Sequence, residues 1–201
     1  MLIGVVVLFV TGILTVSSSA KFDPEVVLGL WLFDEGSGKT AADSSGNKNH
    51  GKFVKNPRWV DGKFGKALSF DGQGSWLDLG SDDSLRIAGK DITVVAWIKT
   101  GNNDKQATVI GRTTVVGPWD GYAMEVGGNL ANEKLGFWYG DGTYFDFSDA
   151  KVNDDKWHHV AAVFNSAQTE FYIDGKLDSK KASAGNVDLD SSEKKVPLDI
   201  T

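Results

Sequence analysis

The chain has 201 residues, a formal net charge of −6 at pH 7, 24 glycines, 7 tryptophans and no cysteine. The acidic balance argues against binding to a phosphate backbone, which requires stripes of Lys and Arg. The lack of cysteine excludes disulfides, thiolate nucleophiles and Cys-based zinc sites. The length is typical of one domain and is sufficient to bury a sizeable core.

An apolar run over residues 2–14 opens the chain, and a short stretch of small residues follows it as far as Ala20. Ser18 and Ala20 are small residues at the −3 and −1 positions that a signal peptidase requires. The run is shorter than the roughly 20 apolar residues of a membrane span. Residues 1–20 are therefore predicted to be a signal peptide, with a retained anchor or a buried first strand as alternatives. The mature chain is expected to be secreted, periplasmic or at the cell surface, without a membrane span.

Residues 21–201 predict an all-β domain built from short strands and Gly-rich turns. The clearest alternation lies within residues 91–100, where every second residue from Ile92 to Ile98 shares one face. Asp174-Gly175 is the strongest hairpin signal, because a type I′ turn needs positive φ at both central residues. Short strands at this spacing, with no convincing helix, predict a sandwich or jelly roll. The predicted strands are residues 26–33, 66–70, 75–79, 91–100, 108–112, 121–126, 134–139, 157–164 and 169–173.

Four segments are distinctive when they are taken together in chain order. They are GLWLFDEGSG at 29–38 with DSSGNKNHG at 43–51, GKALSFDG at 65–72, ITVVAWIK at 92–99, and WHHVAAVF at 157–164 leading to FYIDGK at 171–176. In this order they resemble laminin-G-like jelly-roll domains of bacterial secreted proteins, in the concanavalin A-like lectin/glucanase superfamily. The resemblance covers about residues 26–178. It implies an antiparallel two-sheet jelly-roll sandwich that recognises a glycan or an extracellular protein.

The C-terminal residues PLDIT at 197–201 look like the beginning of a late strand. The family pattern continues through such a strand, so the resemblance implies that this domain, residues 21–201, lacks its C-terminal strands. We expect it to belong to a longer parent protein with other domains.

The resemblance also raises the question of catalysis. Glucanases of this fold carry a Glu-x-Asp-x-x-Glu run on one strand, which points the carboxylates into one cleft. No such run occurs here, and Asp146 and Asp149 are interpreted as solvated loop acids. His158 and His159 are adjacent, so on a strand they face opposite sides and cannot both bind one ion without distortion. The chain is predicted to be non-catalytic, and a glycoside hydrolase of the same fold is the less favoured alternative.

Calcium is the one cofactor that the resemblance implies. Related jelly rolls hold a structural Ca²⁺ with backbone carbonyls and one or two carboxylates, the hard oxygen ligands that this ion needs. Asp34 and Asp71 lie at the matching positions of this sequence, and the closing carboxylate is expected on the missing final strand. The alternative is that both side chains bond turn amides. The sequence leaves these two interpretations open.

A glycan site requires an exposed aromatic ring with polar neighbours, because sugar CH faces stack on rings while hydroxyls form hydrogen bonds. Trp119, Trp138, Tyr139 and Tyr144 lie near polar loops and form the candidate ligand-binding set. Packing of Trp119 and Trp138 in the core or at its rim is the alternative. The predicted function is recognition of carbohydrate or an extracellular protein, with a structural or adhesive module of a larger surface protein as the alternative. Four other tryptophans lie in strand motifs and are predicted to fill the core: Trp31, Trp76, Trp97 and Trp157.

Overall fold

The computed structural model describes residues 1–9, 24–87, 89–101, 106–113, 121–127, 133–140, 144–165, 167–182, 189 and 196–201, with the backbone alone for residues 2–9. In chain order the strands of this part are β1 (Leu2–Phe9), β2 (Val27–Trp31), β3 (Thr40–Ala41), β4 (Gly51–Val54), β5 (Arg58–Asp61), β6 (Lys66–Ser69), β7 (Trp76–Asp78), β8 (Ile92–Lys99), β9 (Ala107–Thr113), β10 (Gly121–Val126), β11 (Lys134–Gly140), β12 (Tyr144–Lys151), β13 (Trp157–Asn165), β14 (Gln168–Ile173), β15 (Lys176–Ala182) and β16 (Asp199–Ile200). Two short 3-10 turns lie at Pro24–Val26 and Asp83–Leu85. Within these ranges, no helix is both long enough and apolar enough to span a membrane.

The strands form two antiparallel sheets that enclose one apolar core. Sheet A has the order β15-β14-β13-β8-β1-β6-β5, and β2 also pairs with β1. Sheet B has the order β12-β11-β10-β9-β16-β7-β4-β3. Side chains from both sheets meet in the core, among them Trp31 and Ile98 of sheet A and Leu77 and Phe137 of sheet B. The all-β two-sheet architecture is the predicted one.

The strongest sequence signals are confirmed. Strand β8 alternates buried and half-buried residues along its whole length, as its apolar periodicity predicts. The turn between β14 and β15 has φ values of 52° at Asp174 and 77° at Gly175, the backbone that an Asp-Gly hairpin requires. The late strand expected near residues 197–201 is present as β16.

Strand β12 corrects the interpretation of two acids. Asp146 and Asp149 lie on this strand rather than in a loop. Asp146 pairs in register with Phe137, a core residue, and Asp149 is exposed. The strand was missed because its alternation is reversed. Phe145 and Phe147 lie on the outer face, whereas the polar Asp146 between them faces inward.

Three of the four tryptophans assigned to the core are half-buried instead. Trp31 is fully buried, whereas Trp76, Trp97 and Trp157 are not. The reason at Trp76 is strand parity: Leu77 and Leu79 reach the core, so Trp76 shares the outer face with Asp78. The alternation of β7 was therefore a usable signal for an outward Trp76. The assignment of Trp76 to the core from its strand motif did not take that alternation into account.

The N-terminal apolar run enters the fold as strand β1. Leu2–Phe9 pairs with β8 on one side and with β2 and β6 on the other. A first strand is one of the alternatives that the sequence left open, and the signal peptide of residues 1–20 stays a prediction. Ala20 lies outside the described residues, so cleavage after it stays a prediction.

Candidate functional site

A continuous row of residues crosses the outer face of sheet B, because residues directly opposite each other on paired strands share a face. Gly111 and Ala123, at the centre of the row, leave it almost without side chains. A Cβ added to Gly111 would lie 2.8 Å from the Ala123 Cβ, so the closeness of β9 and β10 requires glycine there. Carboxylates lie on one side of this centre and aromatic rings on the other. In spatial order the row is Lys52, Asp78, Asp199, Gly111, Ala123, Trp138 and Phe145.

A cleft of about 460 Å³, here named the Trp76 cleft, lies where this face meets the end of the sandwich. The half-buried Trp76 and the buried Phe70 provide its aromatic surface, and Met1 also lines it. The other lining residues include Asp71, Thr100, Gln106, Ala107 and Thr201. The volume falls within the range of roughly 300–1,000 Å³ that is usual for small-molecule sites.

The polar groups of the Trp76 cleft are held by hydrogen bonds. The Asp71 Oδ1 atom accepts bonds from the Gln73 backbone N at 2.8 Å and from the Ser75 hydroxyl at 2.7 Å. These bonds, led by the one from Gln73, lower the pKa of Asp71. The Thr201 hydroxyl donates to the Thr108 carbonyl at 2.8 Å, which leaves its oxygen as an acceptor.

Glu125 lies beside the cleft and is 5% exposed. Its carboxylate accepts hydrogen bonds from Trp138 Nε1 at 2.8 Å and from Gln106 Nε2 at 2.5 Å. Burial raises the pKa of Glu125 against the lowering effect of these two bonds. Gln106 therefore connects the buried carboxylate to the cleft that it lines.

The predicted ligand-binding aromatics do not form one cluster among the described residues. Trp138 lies on the outer face of sheet B, but its ring is only 3% exposed. Tyr139 points the other way into the core and donates to Asp146 at 3.2 Å. Tyr144 is 37% exposed and stacks on Tyr139 with ring centroids 5.6 Å apart. Trp119 lies outside the described residues.

The two predicted calcium ligands differ in their surroundings. The hydrogen bonds of Asp71 fit the turn-bonding alternative, because its Oδ1 atom already has two donors. Asp34 is exposed next to Gly65, whose added Cβ would lie 3.0 Å from the Asp34 Oδ1 atom. In the described part of the chain, no three His, Asp or Glu side chains are grouped to hold a metal. The calcium site stays a prediction.

The acids of β12 have structural partners. Asp146 accepts hydrogen bonds from the Tyr139 hydroxyl at 3.2 Å and from the Thr169 hydroxyl at 2.5 Å. Asp149 pairs with Lys181 at 2.8 Å, and this hydrogen bond lowers the pKa of Asp149. The two carboxylates thus hold strands together across the edge of the sandwich.

The adjacent histidines face opposite sides of β13, as their spacing predicts. His159 packs edge-on against Trp97, with centroids 5.4 Å apart, and burial lowers its pKa. His158 lies between Asp174 at 2.9 Å and Asp154 at 3.0 Å. Burial alone would lower the pKa of His158, but the hydrogen bonds to the two carboxylates outweigh burial and raise it.

The outer face of sheet A carries an aromatic cluster, here named the Trp97 patch, made of Phe64, Trp97, His159 and Lys63. Phe64 is 64% exposed and meets Trp97 edge-on at 5.3 Å. The Lys63 ammonium lies 5.7 Å from the centre of the Trp97 ring, within the range of a cation–π contact. The patch therefore presents one exposed ring, Phe64, and two half-buried rings on the outer face.

A comparison with models of protein families shows which family this chain belongs to. The laminin G family model described as "Concanavalin A-like lectin/glucanases superfamily" matches residues 71–196. The chain belongs to this superfamily. Its fold is the antiparallel jelly-roll sandwich of the superfamily's members, as the resemblance implied. No curated protein matches the chain.

Solved structures of the superfamily fold align with most of the chain at low identity. Domain 4 of an extracellular arabinanase from Geobacillus stearothermophilus, in complex with arabinotriose, has a TM-score of 0.57 and 17% identity, covering 79% of this chain and 76% of that one. The binding domain of botulinum neurotoxin DC, in complex with rat synaptotagmin II, has a TM-score of 0.55 and 15% identity, covering 83% of this chain. The alignment spans 42% of the neurotoxin chain. At these identities the likeness establishes the fold alone.

Proposed function

We propose that the chain is a non-catalytic carbohydrate-recognition module whose ligand binds in the Trp76 cleft. The observation that carries this proposal is a recessed, half-buried indole surrounded by polar groups that converge on one cleft. A sugar needs both parts, because its CH faces stack on an aromatic ring while its hydroxyls exchange hydrogen bonds with polar side chains. Gln106 and Thr201 supply such groups on the side of sheet B.

The charges around the cleft favour a neutral ligand. Asp71 is the only ionisable side chain that lines it in the described residues, and its carboxylate is already engaged by the turn. Met1 also lines the cleft, and the proposed removal of residues 1–20 takes its ammonium away. A carboxylate that accepts bonds can still accept one from a sugar hydroxyl through its second oxygen. An anionic ligand would instead meet Asp71 without a compensating Lys or Arg on the described wall.

The burial and the hydrogen bonds of Glu125 support ligand binding without hydrolysis. Glycoside hydrolysis needs two carboxyl groups on opposite sides of the scissile bond, one of them free to give a proton. Asp71 lines the cleft with one oxygen held by the turn, and Glu125, which adjoins the cleft through Gln106, is buried with both oxygens engaged. This arrangement stabilises the wall of the site and leaves Glu125 unable to reach a ligand.

Neutral oligosaccharides are therefore the first ligands to test. Arabinotriose belongs in the panel, because an arabinanase domain of the same fold was solved with it. Isothermal titration should compare the parent protein with Trp76→Ala and, as a matched control, Trp97→Ala on the other sheet. We expect Trp76→Ala to lose about 1–3 kcal/mol of binding free energy, the usual contribution of a stacking aromatic. Equal affinity of the parent and Trp76→Ala proteins would contradict the proposal.

Export completes the proposed function. Removal of residues 1–20 would place the module outside the cytoplasm, where polysaccharides are encountered. N-terminal sequencing of material recovered outside the cytoplasm should then begin at Lys21. A retained Met1 in that material would contradict cleavage and favour an anchor or an integral strand.

Protein binding is the second candidate function, and the Trp97 patch favours it. Phe64 is 64% exposed beside a half-buried tryptophan, and aromatic residues are enriched at the centres of protein interfaces. In this case Trp97→Ala would abolish capture of the protein partner, whereas Trp76→Ala would not. The same pair of variants therefore separates the two functions.

A further inference from the structure

A second cleft of about 590 Å³, here named the His50 cleft, lies at the other end of β7 from the Trp76 cleft. One wall is formed by residues 47–50 and Lys52, and the other by residues 78–82. Lys52 of β4 lies opposite Asp78 of β7, so the cleft opens where the two paired strands give way to loops. Its volume, like that of the Trp76 cleft, is within the range of roughly 300–1,000 Å³ that is usual for small-molecule sites.

The loop wall of the His50 cleft is held by hydrogen bonds. Asn49 is 5% exposed; its Nδ2 donates to the Leu28 carbonyl at 3.1 Å, and its Oδ1 accepts from the Ser84 hydroxyl at 2.9 Å. The Nδ1 atom of the exposed His50 accepts the Asp43 backbone N–H at 3.1 Å. A neutral imidazole whose Nδ1 accepts carries its proton on Nε2. His50 Nε2 is therefore a hydrogen-bond donor on an anchored side chain.

The opposite wall of the His50 cleft supplies acceptors. The Oδ1 atoms of Asp78 and Asp82 each accept a backbone N–H, at 2.8 Å and 2.9 Å. The second oxygen of each carboxylate can accept a hydrogen bond from a ligand. The exposed Lys48 and Lys52 add two ammonium groups, which balance the two carboxylates. Donors and acceptors without a net charge are suited to the hydroxyl groups of a neutral sugar.

The two clefts lie next to each other on the outer side of sheet B. Trp76 and Asp78 are two residues apart on the outer face of β7, a separation of about 7 Å along a strand. Asp199 of the neighbouring strand β16 lies opposite Asp78, and Thr201, two residues further along the chain, lines the Trp76 cleft. A ligand longer than one sugar ring can therefore extend from the indole to the polar groups of the His50 cleft.

We propose that the His50 cleft is a second sugar subsite and that both clefts bind one neutral oligosaccharide along the outer side of β7. One sugar stacks on Trp76, while the hydroxyls of another form hydrogen bonds with His50 Nε2 and the Asp78 carboxylate. Contacts at a second site become intramolecular once the first site is occupied, so affinity rises with the length of the ligand. The inference rests on the proposed carbohydrate recognition and assigns to it oligosaccharides rather than single sugars.

The dependence of affinity on chain length is the first test. Isothermal titration of the full chain would compare arabinose with arabinotriose, and glucose with cellotriose as a second pair. In the pair that binds, we expect the trisaccharide to bind at least about 10-fold more tightly than its single sugar. Equal affinities within the pair would overturn the shared ligand. Failure of all four sugars to bind would contradict the proposed carbohydrate recognition and this inference with it.

Substitutions in the His50 cleft then locate the second subsite. His50→Asn removes the Nε2 donor but keeps an acceptor where Nδ1 bonds the Asp43 N–H. We expect it to reduce the advantage of the trisaccharide over the single sugar about 5-fold, the effect of one lost hydrogen bond. Lys52→Ala is expected to act in the same direction, whereas the control Lys176→Ala, which replaces an exposed lysine on sheet A, leaves the advantage unchanged.

Trp76→Ala separates failure of this inference from failure of the proposed function. It is expected to weaken the binding of the trisaccharide and of the single sugar alike, because both stack on the indole. Weaker binding by Trp76→Ala, with the parental trisaccharide advantage in His50→Asn and Lys52→Ala, would overturn the second subsite and leave the proposed function standing. Loss of affinity in the His50-cleft variants alone would contradict both the Trp76 site and the shared ligand.

Discussion

The two outer faces of the sandwich use tryptophan in different ways. On sheet A, Trp97 is half-buried between Phe64 and His159, with Lys63 over its ring. On sheet B, Trp76 is recessed in a cleft that also contains polar side chains, and Trp138 is almost completely buried against Glu125. An aromatic residue at an outward-facing strand position can therefore lie on the surface, line a cleft or be buried, depending on which neighbouring residues cover it.

The largest expected difference between the faces is in stability. Trp138→Ala should reduce the free energy of unfolding by about 3–5 kcal/mol, as is usual when a buried Trp is truncated. Trp97→Ala should reduce it by about 1–2 kcal/mol, because that residue is only half-buried. Chemical denaturation of both variants gives the measurement. A small loss for Trp138→Ala would mean that its ring is free to serve as the ligand platform that the sequence predicted.

The second-largest expected difference is in the stability cost of removing one carboxylate from each face, Glu125 on sheet B and Glu170 on sheet A. Glu125→Ala would leave Trp138 Nε1 and Gln106 Nε2 without their acceptor, at a cost of about 1–3 kcal/mol. Glu170 on sheet A accepts hydrogen bonds from Lys180 and Tyr172 at 2.6 Å and from Gln168 at 2.5 Å. These donors are exposed or half-buried, so water can replace the carboxylate and Glu170→Ala should cost about 1 kcal/mol. Urea unfolding at pH 7 would compare them. Equal costs would show that Glu125 is not the buried acceptor described above.

A smaller effect is expected from Asp199 in the row on sheet B. Burial, with Asp78 opposite, raises the pKa of Asp199 to about 6. A raised acid pKa means that folding takes up a proton between about pH 4 and 6, so stability falls as the pH rises through that window. Asp199→Asn should therefore raise the free energy of unfolding at pH 7 by about 1–2 kcal/mol, after allowance for solvent screening. An unfolding series at pH 4, 5, 6 and 7 should show the difference grow with pH. A difference that stays constant would exclude this titration.

The smallest effect belongs to His158 at the end of the sheet A strand β13. Its folded pKa is raised, so its ion pairs with Asp154 and Asp174 stabilise the fold fully below the unfolded pKa of about 6.5. That contribution, about 1 kcal/mol or less, is lost as the pH rises through the folded pKa. His158→Gln should remove the pH dependence, which melting curves between pH 5.5 and 8.5 would detect. His159→Gln is the control, because burial lowers the pKa of His159 and gives the opposite sign.

Much of the fold could be predicted because its signals are local. The alternation of β8 and the Asp-Gly turn before β15 each depend on a few consecutive residues, and both predictions are confirmed. Strand β12 was missed because its phenylalanines face outward, a pattern that only the packing of neighbouring elements explains. Strand β1 was ambiguous for a different reason: an apolar run satisfies an export signal and an interior strand equally well.

The candidate site was less predictable than the fold. Parity along β7 could have placed Trp76 outward beside Asp78, but no local signal shows that a cleft forms around it. Tyr139 was grouped with Trp138 because they are neighbours in the sequence. On a strand, that adjacency sends one ring to the core and the other to the outer face.

The sequence by itself determined the all-β class, the family and, for a strand with clear alternation such as β8, which residues share a face, because strand periodicity and turn chemistry are local properties. The exposure of each outer-face residue was decided only by the tertiary structure. Trp76 and Trp138 are both outward by parity, yet one lines an open cleft and the other is buried. Exposure depends on which distant segments cover a position, and that information is spread over the whole chain rather than held in any one strand.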